Sequence, residues 1–200
     1  MNLLFQEGKI GNMTLKNRIV MPPMCMYKSD NSGELKAFHK THYLARAVGG
    51  VGLIIVEATA VEPKGRISDA DLGLWEDSQI IQHKELNEDI HFFGAKTAIQ
   101  IAHAGRKSTV KDTTPIAPSV IAFSNEEPFK IPISASLEDI KNIKKLFVKT
   151  AIRAKSANYD AIELHAAHGY LLCEFLSPLS NTREDIYGGS LENRCRLVLE

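Results

Sequence analysis

Three side chains that can donate protons or hydrogen bonds lie close together in the stretch Asp160–Tyr170, which reads DAIELHAAHGY. Its first half is typical of a β-strand, because apolar residues alternate with Glu163. His165, His168 and Tyr170 follow where such a strand would end. Parallel α/β sheets bind their ligands at the carboxyl ends of the strands. We therefore expect these three rings to face a ligand.

The two histidines of this stretch allow three interpretations. As metal ligands they would need further donors, and the obvious ones, His103 and Glu163, are expected on another strand or on the strand's opposite face. They could instead satisfy backbone groups in a turn, which the spacing alone favours over a metal. As neutral imidazoles they could also donate hydrogen bonds to a substrate oxygen, beside which Tyr170 would supply a proton. The residues alone leave all three open.

Cys25, Gln100 and the pair Arg106-Lys107 are the other polar candidates. Cys25 follows two prolines at a strand end, where it could be an exposed nucleophile, although a buried thiol is commoner. Gln100 lies within an apolar strand and needs hydrogen-bond partners, which the edge of a flat heterocycle would provide. The basic pair could be a solvated loop tip or a cationic clamp near the same ligand.

Strand-like and helix-like segments alternate along the chain and would position these residues. A weak hairpin over Leu3–Lys16 leads into a short strand that begins at Arg18 and ends at Pro22-Pro23, since proline cannot donate to a ladder. The later predicted strands are Gly52–Ala60, Thr97–His103 and the stretch from Asp160, and the predicted helices are His39–Val48, about 78–93, about 136–157 and the segment from Leu191. This order predicts an α/β fold with a parallel sheet. Its roughly four βα units would be half of a (β/α)₈ TIM barrel or a smaller open sheet.

The totals exclude several classes of function. The 200 residues contain 24 Lys and Arg against 24 Asp and Glu, so there is no net field to hold nucleic acid or an anionic membrane. No apolar run approaches the roughly 20 residues of a membrane span, and residues 1–20 lack a signal-peptide core. Three distant cysteines argue against a disulfide framework. We therefore expect one domain over residues 1–200, in the cytoplasm and without nucleic-acid or membrane partners.

Taken together, five blocks of sequence resemble the Old Yellow Enzyme family, and the cysteine and tyrosine of the first block resemble its thermophilic-like class of ene-reductases. The five blocks are MPPMCMY (21–27), GLIIVEATA (52–60), QIAHAGRK (100–107), HAAHGYL (165–171) and FLSPLSN (175–181) with Arg183, Tyr187–Ser190 and Glu192–Arg194. They occur in the family's order over nearly the whole chain. Pro22 occupies a position that is often a small hydroxyl residue in that family.

The resemblance implies an oxidoreductase that uses FMN, with NADPH or NADH as reductant, to reduce the C=C bond of α,β-unsaturated carbonyl compounds. The residues implied to contact FMN are Pro22, Pro23, Met24, Cys25, Ala58 and Gln100, with the Cys25 sulfur tuning the flavin. The residues implied to bind the substrate are Tyr27, His165, His168 and Lys107. The residues implied to act in catalysis are His165, His168 and Tyr170, with Tyr170 as proton donor.

A family member would continue through four more strands and their phosphate-binding loops. We therefore expect this chain to be the N-terminal half of such an enzyme, inactive unless the other half is supplied. An open half-barrel also exposes sheet edges, which favours a homo-oligomer. Two rival functions stay open: a non-catalytic, self-associating half-barrel remnant, and a metal-assisted hydrolase that uses His165 and His168.

Overall fold

A computed structural model describes residues 2–200. The strands are β1 Gly8–Ile10, β2 Met13–Leu15, β3 Val20–Met21, β4 Leu53–Ala60, β5 Leu72–Gly73, β6 Lys96–Ala102, β7 Ile116–Ala117, β8 Ile133–Ser134 and β9 Ala161–Leu164. The helices are α1 Ala37–Val48, α2 Ile80–Phe92, α3 Leu137–Ser156, α4 Leu171–Leu176 and α5 Leu191–Leu199, with short 3₁₀ turns at Leu3–Phe5, Pro63–Gly65, Asp77–Gln79 and Gly105–Lys107.

The main sheet is parallel, in the order β3-β4-β6-β9, and β5 adds a short pair to the end of β4. Helices α1, α2 and α3 lie in the three crossovers between these strands. The predicted βαβ units and parallel sheet are therefore confirmed. The predicted hairpin is present as the antiparallel pair β1-β2. Strand β3 ends at Met21, as the following prolines require.

Strand β4 is the centre of the sheet and is buried over almost its whole length, which matches its continuous apolar sequence. It pairs with β3 on one side and β6 on the other. Its register with β6 shifts between Val56 and Thr59, so that the ladder is interrupted at Glu57 and Ala58. Such a bulge redirects side chains near the carboxyl end of the strand.

The helices lie where the apolar pattern predicts them, but four of the apolar residues expected on their buried faces are exposed by 39–64%. These residues are Val48, Ile81, Phe93 and Ile152. All four directly follow another apolar residue, and neighbours on a helix point about 100° apart, so the two residues of a pair cannot both face the sheet. On α2 the buried positions go instead to His83 and Asn87, which bond to the Tyr159 hydroxyl at 2.8 Å and the Ala157 carbonyl at 2.7 Å.

Helix α3 begins with a complete capping box. Ser136 accepts a hydrogen bond from the Asp139 backbone N–H, and the Asp139 carboxylate accepts from Ser136 in return. All three cysteines are free thiols. Among residues 2–200, no helix combines the length and apolar character needed to cross a membrane.

Candidate active site

One cavity of about 440 Å³ lies at the carboxyl ends of the parallel strands. The segment after β3, strand β6, and β9 with its following loop form its walls. Its lining residues are Pro22, Pro23, Cys25, Gln100, Glu163, Leu164, His165, Ala166, Ala167, His168 and Tyr170. The polar residues singled out in the sequence on three separate strands thus meet at one edge of the sheet, where parallel sheets bind their ligands.

Four of the residues that the resemblance implies do not line this cavity. Met24 and Tyr27 lie in the same segment as Cys25 but are 49% and 46% exposed. Ala58 is buried in β4, and Lys107 lies behind the loop that carries His168. Their assignment to the cofactor or the substrate stays a prediction.

The three rings after β9 pack together at the cavity. His165 lies edge-on to both others, with ring centroids 5.1 Å from His168 and 4.9 Å from Tyr170. His168 and Gly169 both have a left-handed backbone, with φ of 57° and 72°, which turns the chain sharply between the histidines and the tyrosine. The turn is what brings side chains from three positions to one small volume.

His165 is a neutral hydrogen-bond donor toward the cavity. Burial, followed by the nearby His168, lowers its pKa, so the ring is uncharged at neutral pH. The Ala167 N–H points at its Nδ1 from 3.4 Å, a long contact that places the ring proton on Nε2. An Nε2–H group of this kind can donate to an oxygen on a bound molecule.

Tyr170 keeps its phenol protonated. Burial raises its pKa, and the nearby Cys25 and Asp71 raise it further. The Lys107 ammonium lies 5.0 Å from the centroid of its ring and donates a hydrogen bond to the His168 carbonyl at 3.0 Å. Lys107 therefore supports the loop that holds Tyr170.

Gln100 and Glu163 form a polar pair across β6 and β9. The two residues are direct partners in the parallel register, and Gln100 Nε2 donates to Glu163 Oε1 at 2.5 Å. From the sequence we expected Glu163 away from the histidines, and that prediction was wrong. Residues two apart on a strand share a face, so Glu163 points to the same side as His165. This spacing was the signal that could have identified it.

Cys25 is a half-buried neutral thiol and not an activated nucleophile. Its pKa is raised to about 11, chiefly by burial and then by the carboxyl groups of Asp71 and Glu57. The thiolate is the reactive form, so such a thiol attacks poorly at neutral pH. Tyr27, which contacts it, has its pKa raised to about 12, chiefly by burial and then by Cys25.

The remaining polar candidates are engaged elsewhere. His103 is buried, with Nε2 2.9 Å from Glu62 Oε1 and Nδ1 accepting the Gly105 N–H. Arg106 donates to the Ile121 carbonyl and so holds a loop. Within residues 2–200, no three or more His, Cys, Asp or Glu side chains are grouped as a metal would require.

The cavity has the chemistry that a flavin ring needs. Two prolines and two alanines, Ala166 and Ala167, give it apolar walls, while Gln100, Glu163 and the histidines give it polar edges. A flat heterocycle with apolar faces and donors and acceptors along its rim matches that division. The residues present therefore fit FMN.

Comparison with known proteins supports this interpretation. The sequence pattern of the NADH:flavin oxidoreductase / NADH oxidase family matches residues 3–200. The chain is 56% identical over 198 residues to an NADPH dehydrogenase of Bacillus licheniformis, and 51% identical over 197 residues to one of Clostridium acetobutylicum. Each alignment covers 98% of this chain but 58% of the relative, so the chain spans a little over half of the length of these proteins.

Solved structures give the same result for the fold. Morphinone reductase superposes with a TM-score of 0.92 at 32% identity, covering 98% of this chain and 56% of that protein. An Old Yellow Enzyme from Pichia sp. AKU4542 gives the same TM-score and identity, covering 98% of this chain and 54% of that protein. The four βα units thus correspond to part of the α/β barrel of these enzymes. The chain belongs to the NADH:flavin oxidoreductase / NADH oxidase family, the oxidoreductases that work with FMN and a nicotinamide.

Proposed function

We propose that the cavity is the active site of an FMN-dependent ene-reductase that reduces the C=C bond of α,β-unsaturated carbonyl compounds. The observation that carries this proposal is the meeting of His165, His168 and Tyr170 at one cavity with the Gln100 amide. FMN, when bound, supplies the hydride that reaches the β-carbon, having received it from NADPH or NADH.

In this proposal, the chain's own residues polarise the substrate and complete the reduction. Ring N–H groups of His165 and His168 donate to the carbonyl oxygen, and they bind it more strongly as negative charge develops there. Tyr170 holds its proton at neutral pH and lies edge-on to His165, so it can deliver that proton to the α-carbon. The bonded pair of Gln100 and Glu163 would provide polar contacts to the ring edge of the cofactor.

We further infer that residues 1–200 do not sustain turnover by themselves. In the described sheet, β3 and β9 are open edges, whereas in a closed barrel every strand has a neighbour on both sides. Charge-assisted contacts to a cofactor phosphate contribute about 1.5 to 3 kcal/mol each, and the family's phosphate loops follow later strands. The parts of the relatives that this chain lacks would supply these contacts.

The test compares this chain with a completed chimera, in which the chain is fused to the remaining part of the B. licheniformis relative. FMN binding is measured by quenching of flavin fluorescence, and activity by NADPH oxidation with cyclohexenone. We expect weak FMN binding and no turnover by the chain, and tight binding with turnover by the chimera. A folded chimera that binds FMN but does not reduce cyclohexenone would contradict the ene-reductase proposal.

The rival that has support is a self-associating half-barrel without catalysis. An apolar groove beside β9 leaves Ile162 and Leu164 exposed by 40% and 46%, which a second copy could cover. Two results together would favour this rival: stable oligomers of the 200-residue chain, and no FMN uptake by the chimera. The metal-assisted hydrolase gains no support, because His103 is committed to Glu62.

A further inference from the structure

The cavity wall formed by residues 22–28 leaves the sheet after β3 and has little backbone support. Two prolines begin it, and they carry no N–H group. In this segment, all of which is described, the backbone N–H that bonds to the sheet is that of Met26, which donates to Glu57 Oε1 at 3.1 Å. Its neighbour Tyr27 has a φ of 53°, a left-handed conformation that costs roughly 1 kcal/mol or more and must be held by its surroundings. The wall that carries Cys25 is therefore tied to β4 by the Glu57 side chain through Met26, and also by the Ala58 backbone, which bonds to the Cys25 sulfur.

Glu57 can reach Met26 because it lies at the bulge of β4. The register shift there frees its backbone from the ladder. Its N–H donates to the Tyr43 hydroxyl at 3.0 Å, and its carbonyl accepts from Thr59 Oγ1 at 2.8 Å. Side chains thus satisfy both backbone groups of a residue that is 1% exposed, and the bulge fixes the direction of its carboxyl group.

Two hydrogen bonds reach the Glu57 carboxyl group, and a third N–H group lies near it without bonding to it. Beside the Met26 bond to Oε1, the Tyr43 hydroxyl donates to Oε2 at 3.1 Å. The fully buried His39 has Nε2 4.0 Å from the same oxygen. His39 Nδ1 accepts the Lys36 N–H, so the proton of the neutral ring is on Nε2 and points toward the carboxylate. An ionised carboxylate, which only accepts, fits this environment.

Burial opposes that ionised state. The pKa of Glu57 is raised to about 7, chiefly by burial and also by the carboxyl group of Asp71, against the bonds from Met26 and Tyr43. The titratable groups that face Glu57 are His39 and Tyr43 on α1, Cys25 on the wall, and Asp71 before β5. Burial lowers the pKa of His39 to about 4, so that ring stays neutral while Glu57 titrates.

We propose that Glu57 is a positioning residue of the flavin site, whose ionised carboxylate holds the cavity wall of Cys25 and Tyr27 in place through Met26. The inference rests on the proposed function, since the wall has this role only if the cavity binds FMN. Hydrogen bonds to an ionised acceptor are about twice as strong as those to a neutral one. Protonation removes the negative charge of the acceptor, so it weakens the attachment of the wall.

The first measurement follows the Met26 amide resonance of the ¹⁵N-labelled chain by NMR, without cofactor, across neutral pH. In the native chain, this resonance should move upfield as pH falls, with a midpoint near the Glu57 pKa of about 7. In Glu57→Gln it should not titrate. The matched control is Glu62→Gln. Glu62 lies just beyond the end of β4, and its carboxylate contacts His103 and not the wall. That variant should titrate like the native chain.

The second measurement is FMN affinity at about pH 8, where Glu57 is mostly ionised. Glu57→Gln should weaken binding about tenfold, and Glu62→Gln should leave it unchanged. If Glu57→Gln does not fold, Glu57→Asp replaces it, because its carboxylate is one methylene too short to reach Met26. That variant should lose the Met26 titration and bind FMN as weakly.

Two results would overturn the inference: a Met26 resonance that does not titrate in the native chain, or a Glu57 variant that binds FMN as well as the native chain. Failure of the native chain and of all variants, including their chimeras, to bind FMN would count against the proposed function instead. The Met26 titration distinguishes the two failures, because it needs no cofactor.

Discussion

Tyr170 is the residue whose proposed role makes the sharpest single prediction. In the completed chimera, Tyr170→Phe should slow cyclohexenone reduction about a hundredfold, the lower range for loss of a general acid. It should leave reduction of FMN by NADPH nearly unchanged, because that step needs no proton from the phenol. Stopped-flow measurement of the two half-reactions checks this.

Tyr187→Phe is the matched control for that experiment. Its hydroxyl bonds to Lys144 and Glu200, outside the cavity lining, so both half-reactions should keep their rates. Equal slowing of both half-reactions in Tyr170→Phe would show that the phenol shapes the site without donating the proton.

Glu174 predicts an unusual dependence of stability on pH. Burial raises its pKa to about 8 despite the bond it accepts from the Arg106 N–H, and its Oε2 has no hydrogen-bond partner among residues 2–200. The folded chain therefore holds a proton that the unfolded chain releases above about pH 4.3. Between that pH and about pH 8 the contribution of this group to stability falls as pH rises.

Glu174→Gln should remove that pH dependence. Its free energy of unfolding should match that of the native chain near pH 5 and exceed it by at least about 1 kcal/mol near pH 8. Urea unfolding at a series of pH values measures this. Glu192→Gln, whose side chain is 88% exposed, should follow the native curve. A Glu174→Gln curve that also runs parallel to the native one would contradict the assignment.

The sequence identified His165, His168, Tyr170 and Gln100 because polar residues at a strand end or inside an apolar strand are conspicuous. It did not identify Glu57, and it placed Glu163 away from the histidines although the two-residue spacing from His165 indicates the same face. Glu57 lies within a run that is otherwise apolar, and its meaning depends on a bulge that no local pattern announces. Interruptions of a ladder arise from pairing between strands, which the sequence of one strand does not contain.

At the scale of elements, strand and helix order follows from apolar periodicity and from proline and glycine, and the structure confirms that order. The exposed faces are less predictable, because two adjacent apolar residues on a helix compete for one buried direction. On α2, Leu86 and Ile90 face the core while Ile81 is 58% exposed. The polar partners of His83 and Asn87 come from the segment after α3, so tertiary contacts and not periodicity place them.

Asp160 joins three elements at the amino end of the sheet. Its Oδ1 accepts from Lys96 Nζ at 2.7 Å, and its Oδ2 contacts the Thr97 N–H at 2.9 Å and His91 Nε2 at 2.7 Å. Burial alone would raise its pKa, yet the bonds from Lys96, Thr97 and His91 outweigh it and lower the pKa. The carboxylate thus ties α2 and β6 to the start of β9.

Asp160→Asn should reduce the free energy of unfolding by about 1 to 2 kcal/mol at neutral pH, the cost of weakening charge-assisted bonds. The loss should shrink as pH falls below the normal carboxyl range, because a carboxyl with a lowered folded pKa contributes stability only above its unfolded pKa. Urea unfolding measures both effects. Asp89→Asn, whose pair with Lys40 is about half exposed, should change little at any pH. Equal losses in the two variants would contradict the linking role of Asp160.

At the scale of the whole molecule, the described residues form three apolar cores, and one apolar surface has no cover. Phe147 on α3 packs against two of these cores. Beside it, an apolar groove runs between α3, α5 and β9, lined by residues that include Ile162, Leu164 and Val148. β9 has a partner on one side only in the described sheet, so backbone groups and apolar side chains are exposed together. The assignment of residues 1–200 to a single domain stays a prediction, and so does the cytoplasmic location.

We expect the 200-residue chain to self-associate through this groove, since an unpaired edge beside an exposed apolar surface favours pairing with a second copy. Ile162→Lys should shift the chain toward monomer, because it places a charge on the face that would be covered. Light scattering after size-exclusion chromatography, over a range of protein concentrations, measures the mass. Phe92→Lys is the matched control: Phe92 is 84% exposed on α2, outside the groove, and its replacement should leave the mass unchanged.

The same two variants, made in the completed chimera, show whether the groove binds a second molecule or is covered by the added part of the same molecule. If the added part of the relative covers the groove within one molecule, Ile162→Lys should destabilise the chimera by about 2 kcal/mol or more, since it buries an unpaired charge, and should leave its mass unaltered. Phe92→Lys should do neither. A native 200-residue chain that is monomeric at all concentrations, or an Ile162→Lys chain with the native mass, would show that this face does not drive association.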